Sequence, residues 1–176
     1  MNEFSANFQE PLPPKVHTEF SASFVQHKWN ANLSHITSGW IQFSAEHQYV
    51  RALEAFEGNL ASSAFDFSNK TSNGQVSNVM ITYEANSTRP SVWTGYVDPG
   101  FPIFQPRILL DSQAVFSGLV QRPFFNDKVA SWNILYGGEL PTTVYTTDCG
   151  VVIGYDFFSP SLRTRAITQF FNIEVY

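Results

Sequence analysis

The chain is short of charge. Asp, Glu, Lys and Arg make up 14% of its 176 residues, where a soluble domain ordinarily approaches about a quarter. Basic residues are the scarcer sign, ten Lys and Arg against fifteen Asp and Glu, for a formal net charge of -5. They are scattered along the chain, and the tightest grouping is Arg163 with Arg165. Phosphate binding needs a basic face, so nucleic acid is excluded as a partner. Cysteine is almost absent. Cys149 has no second sulfur to pair with, which excludes an internal disulfide. It is expected to be a buried or half-buried thiol on a strand. No apolar run approaches the roughly 20 residues of a membrane-spanning helix, so no membrane span is expected.

Catalytic signatures are missing too. There is no G-x-S-x-G, no phosphate-binding loop and no G-x-G-x-x-G. The four histidines, His17, His27, His35 and His47, lack the close pairing that a metal site uses, so neither metal nor cofactor is expected. Glu54 and Glu57 read as a solvated strand end rather than as a glycosidase-type carboxylate pair.

Aromatic residues are what the chain has in quantity: 17 Phe, 7 Tyr and 4 Trp, which together outnumber the charged residues. They fall on alternating patterns. Lys15–Val25 places Phe20, Ala22 and Phe24 on one face and Glu19, Ser21 and Ser23 on the other, the period of a half-buried strand. Further strands are predicted over Gly39–Ala45, Gln48–Phe56, Ser63–Phe67, Asn78–Glu84, Val92–Val97, Ala114–Val120, Lys128–Tyr136, Thr142–Thr146, Val151–Phe158 and Arg163–Tyr176. The one plausible helix is short, within Arg107–Gln113. Many short strands in succession imply an all-β fold, a curved antiparallel sheet that forms a half-barrel or open barrel with an apolar concave face. Residues 1–176 read as one domain, with 1–14 as an extended Pro-rich lead-in.

On the strand faces, Ala130, Trp132, Ile134 and Tyr136 share a side. So do Val79, Ile81 and Tyr83, and so do Arg165, Ile167, Gln169, Phe171 and Ile173. One segment stands apart. Ser91–Arg107 gathers Trp93, Tyr96, Phe101 and Phe104 with three prolines around a single Arg107. It is either a structural lid or the wall of a binding site, and the sheet encloses either a cavity or a solid core. On the binding-site reading, Trp40, Trp93, Tyr96, Phe101, Phe104, Trp132, Tyr136 and Gln169 contact an apolar, oxygen-bearing substrate. Arg107 and Tyr83 then act as donors or acids toward it.

Two stretches carry a resemblance. The opening Pro13-Pro-Lys-Val-His-Thr-Glu-Phe-Ser-Ala-Ser-Phe with Gly39-Trp-Ile-Gln-Phe, and the closing Thr143–Asp148, Gly154–Phe158 and Thr164–Ile173, resemble the ependymin-related and LolA-like half-barrels. That likeness implies a curved sheet holding a hydrophobic guest, without the paired cysteines of the ependymins. In size, β composition and aromatic content the chain is also similar to the small fungal hetero-Diels–Alderases of tropolonic sesquiterpenoid pathways, with no shared catalytic motif.

Two functions follow from these likenesses. One is a cofactor-independent pericyclase that aligns two apolar reactants for a hetero-Diels–Alder addition. The other is a non-catalytic carrier of lipids or other apolar molecules. The expected partner is a hydrophobic small molecule, and a homodimer is compatible with either reading. Met1-Asn-Glu-Phe4 shows neither a basic nor an apolar leader region. The location is then cytoplasmic, or secretory with glycosylation at Asn32, Asn69 and Asn86 if a leader has been removed.

Overall fold

The computed structural model describes residues 9–56, 58–85, 87–161 and 163–176. Among them, eleven strands follow one another: β1 (Glu19–Asn30), β2 (Leu33–Ser44), β3 (Tyr49–Phe56), β4 (Asn59–Lys70), β5 (Val76–Tyr83), β6 (Ser91–Val97), β7 (Val115–Val120), β8 (Val129–Tyr136), β9 (Leu140–Thr146), β10 (Val152–Ser159) and β11 (Thr164–Val175). One short helix, α1 (Ile108–Asp111), lies between β6 and β7. The strands form a single antiparallel sheet in the order β6-β5-β4-β3-β2-β1-β11-β10-β9-β8-β7. The sheet curves but stays open, with β6 and β7 as its free edges. This is the all-β, open and curved architecture that the alternation implies.

The first and last strands meet at the middle of the sheet, where β1 pairs with both β2 and β11. That double pairing explains why β1 runs on to Asn30 through the polar stretch Gln26–Asn30. Asn30 is matched to Leu33 on one side and to Thr164 on the other, so the backbone is satisfied whatever the side chains. The inner face carries Phe20, Ala22, Phe24 and Gln26 of β1, opposite Phe43, Ile41, Gly39 and Thr37 of β2. On the far half, Trp132 of β8, Val144 of β9 and Tyr155 of β10 continue that face.

A cavity is not what fills the middle of this face. The connection from β6 to β7, residues 98–114, folds across it and buries Phe101, Ile103, Phe104 and Leu109 in the main core. Phe101 meets Phe24 edge-on at 5.2 Å, and Phe104 meets Tyr136 at 5.9 Å and Tyr155 at 5.6 Å. Each such ring stabilises the fold by about 1.5–3 kcal/mol through burial alone. Over this part of the sheet the core is solid.

The alternation on β5 and β11 is as expected, but the side turned inward is the less apolar one. Asn78, Met80 and Thr82 point in with Phe65, Ser63 and Ala61 of β4, while Val79 and Tyr83 stand exposed on the outer face. On β11 the inner set is Thr164, Ala166, Thr168 and Phe170. Two further expectations are corrected. Cys149 is exposed, in the turn between β9 and β10, with its Sγ 3.2 Å from Thr147 Oγ1. Glu54 is half-buried on the inner face opposite Gly39, since the register of β2 with β3 turns it inward. Glu57 and the Asn86 sequon lie outside the described residues; Asn32 and Asn69 are exposed.

Candidate functional site

A groove of about 870 Å³ opens at the β7 end of the inner face. Its floor is Trp132 and Ala130 of β8, with Phe116 and Leu119 of β7 along one side and Thr146 of β9 on the other. Trp132 is 2% exposed, and its ring lies 5.2 Å from that of Phe116. The indole Nε1–H donates to Thr146 Oγ1 at 3.0 Å, so the floor offers no free indole donor. Leu119 is 58% exposed although it belongs to a strand of this face.

The opposite wall is the lead-in, Glu10, Pro11, Leu12 and Pro14. Prolines keep it extended and lacking N–H groups, so it presents mostly apolar atoms to the groove. Leu12 is 87% exposed there. The segment is pinned at three points. Glu10 Oε1 accepts the Phe116 N–H at 3.0 Å, Val16 N donates to Pro106 O at 2.9 Å, and His17 N donates to Gly150 O at 3.0 Å. Gly150 sits at φ +81, and a Cβ there would come within 2.1 Å of Lys15 O, so only glycine allows this close approach.

The candidate residues from the sequence do not assemble in one place. Trp132 forms the groove floor. Phe101 and Phe104 are core residues of the 98–114 segment. Tyr136 donates from its hydroxyl to Ile103 O at 3.0 Å and lines a separate, smaller cavity of about 260 Å³ with Lys28, Asp98 and Phe157. Burial raises its pKa above the usual phenol value. Trp93 lies on edge strand β6, with its ring over Gly95. Tyr96, on the same strand, donates to Asn69 Oδ1 at 2.9 Å. Trp40 and Tyr83 stand on the outer face, Trp40 beside Leu53 and Tyr83 beside Leu60. Arg107 is solvent-exposed and paired with Asp111 at 3.2 Å. Arg107 and Tyr83 therefore belong to opposite sides of the sheet, and the groove is lined by neither.

Gln169 belongs to a network on the outer face. Its amide donates to Ile153 O and Phe170 O at 2.7 and 3.0 Å, and its Oε1 accepts from Arg122 Nε at 3.0 Å. The Arg122 guanidinium stacks 4.0 Å over the Tyr145 ring and lies 3.6 Å from Asp156. Tyr145 donates to Asp156 Oδ2 at 2.7 Å. Burial, then the bond to Asp156, pushes the Tyr145 pKa up to about 12; burial likewise raises the Asp156 carboxyl above its ordinary value. These contacts hold the β7–β8 connection against the sheet, over a small second core of Val129, Tyr145 and Ile153. Sequence reasoning missed Arg122, Asp156 and Tyr145 altogether, as well as the lead-in wall of the groove.

No family model matches the chain, and no curated protein matches it. Among solved structures it is similar to a DUF1329 family protein from Desulfovibrio piger, at 8% identity over 90% of this chain and 86% of that one, with a TM-score of 0.33. It is also similar to a putative outer membrane lipoprotein-sorting protein domain from Vibrio parahaemolyticus, at 9% identity over 90% of this chain and 85% of that one, with a TM-score of 0.38. Likeness at this level says nothing of a ligand.

Proposed function

We propose that the protein binds an apolar small molecule in the groove between the Pro-rich lead-in and strands β7–β9, as a carrier rather than a catalyst. The observation that supports this most is the pair of exposed apolar side chains on facing walls, Leu12 and Leu119, with half-buried Phe116 beside them, over a floor whose one indole donor is already engaged. Apolar surface in a concave site is what an alkyl or terpenoid ligand needs, and about 0.8 kcal/mol accompanies each methylene removed from water. A ten-carbon chain then gains about 8 kcal/mol, which corresponds to micromolar affinity or weaker once ordering costs are included.

The cycloaddition reading needs a donor aimed at a substrate carbonyl. Arg107 and Tyr83, the pair chosen for that role, do not line the groove, and no other arrangement there favours the enzyme. The test of the carrier reading is titration with the neutral apolar dye Nile red. Wild-type protein is expected to enhance its fluorescence saturably. Leu119→Glu, an exposed position at which folding tolerates a charge, should weaken that binding by about tenfold or more while leaving the melting curve in place. Equal binding by the two proteins contradicts the groove as the site.

A further inference from the structure

Resting on that reading, we propose that the groove selects cationic amphiphiles, an apolar chain ending in an ammonium group, over fatty-acid-like anions. The ionisable residues along its lining are Glu10 and Asp148; no Lys, Arg or His is among the described residues that line it. The two acids come from different elements, Glu10 from the lead-in wall and Asp148 from the β9–β10 turn. Neither is consumed by a basic partner, because the ion pairs found among the described residues are Arg107–Asp111 and Arg122–Asp156. Glu10 gives one oxygen to the Phe116 N–H, and a carboxylate has lone pairs on both oxygens, so it keeps acceptor capacity for a ligand.

The half-buried Phe116 ring is in the lining, and a cation at a ring face is attracted by the ring quadrupole. An anionic head entering the same groove would meet two carboxylates and no basic side chain among the described lining residues. The net charge of -5 disfavours it further at long range. The neutral chain sets affinity, and the head group sets selectivity.

The experiment uses three ligands of equal chain length, decyltrimethylammonium, decanol and decanoate, each below its micelle concentration. Each competes with Nile red on the full chain. Decyltrimethylammonium is expected to displace the dye at roughly tenfold lower concentration than decanoate, with decanol between them, and the gap should shrink as salt is raised. In the double substitution Glu10→Gln and Asp148→Asn, which keeps both shapes and an acceptor for Phe116, the ratio should fall toward one. If decanoate displaces as well as or better than the ammonium compound while decanol still competes, the charge selectivity is wrong and the apolar groove stands. If Nile red does not bind at all, or no decyl compound displaces it, the groove reading itself fails and the selectivity falls with it.

Discussion

Glu10 and Phe116 are 106 residues apart in the chain and joined directly, the Phe116 N–H donating to Glu10 Oε1 at 3.0 Å. Phe116 belongs to edge strand β7, whose outward N–H groups would otherwise face solvent or another chain. One side chain thus does two things. It covers a donor on the free edge, and it ties the lead-in across the groove. Hydrogen exchange of the Phe116 amide reports both. Glu10→Ala is expected to speed that exchange by roughly tenfold while the amides of central strand β1 are unchanged, corresponding to about 1.4 kcal/mol for a bond to a charged acceptor. Unchanged exchange at Phe116 would show that the lead-in is not held there.

The 98–114 segment is expected to behave as core. Phe101→Ala and Phe104→Ala each remove a ring from a packed interior and should cost about 3–5 kcal/mol, lowering the melting temperature by roughly 10 °C. A folded variant that keeps its melting temperature but loses ligand would instead make these rings binding residues.

Glu54 contributes to the pH dependence of stability. Burial raises its pKa, and the nearby Lys28 only partly opposes the shift. An acid whose folded pKa lies above its unfolded one holds its proton more tightly when folded. Its stabilising contribution is complete below the ordinary carboxylate range and is lost as the pH rises through the raised value. Glu54→Gln, which fixes the neutral form, should therefore raise the melting temperature at about pH 8 and have no effect at about pH 3. Thermal melts at the two pH values decide it. Destabilisation at the higher pH would mean that the attraction to Lys28 outweighs burial.

Strand positions were largely legible in the sequence because a period of two survives wherever one face is wetter than the other. Lys128–Tyr136 is the clearest case, with Ala130, Trp132, Ile134 and Tyr136 all turned inward. Orientation was not legible on β5. Both of its faces are moderately apolar, and the inward choice of Asn78, Met80 and Thr82 is imposed by the register with β4. The Ser91–Arg107 composition marked a segment that must bury rings, but not whether the rings serve a ligand or the core. The groove was invisible because Leu12, Leu119 and Trp132 come together only when the lead-in crosses to the far edge of the sheet. The pattern marks Gln169, yet its partner Arg122, with Asp156 and Tyr145 that Arg122 in turn contacts, lies on elements that no local pattern connects.

Photolabelling tests the central claim most directly. A neutral alkyl diazirine bound to the full chain, irradiated and mapped by peptide mass spectrometry, should mark the lead-in around Glu10–Pro14 together with Phe116–Leu119 and Ala130–Trp132. An excess of decanol should suppress that labelling. Labelling confined to the exposed outer face around Trp40, Leu53 and Tyr83, or insensitive to competitor, would contradict the groove as the binding site.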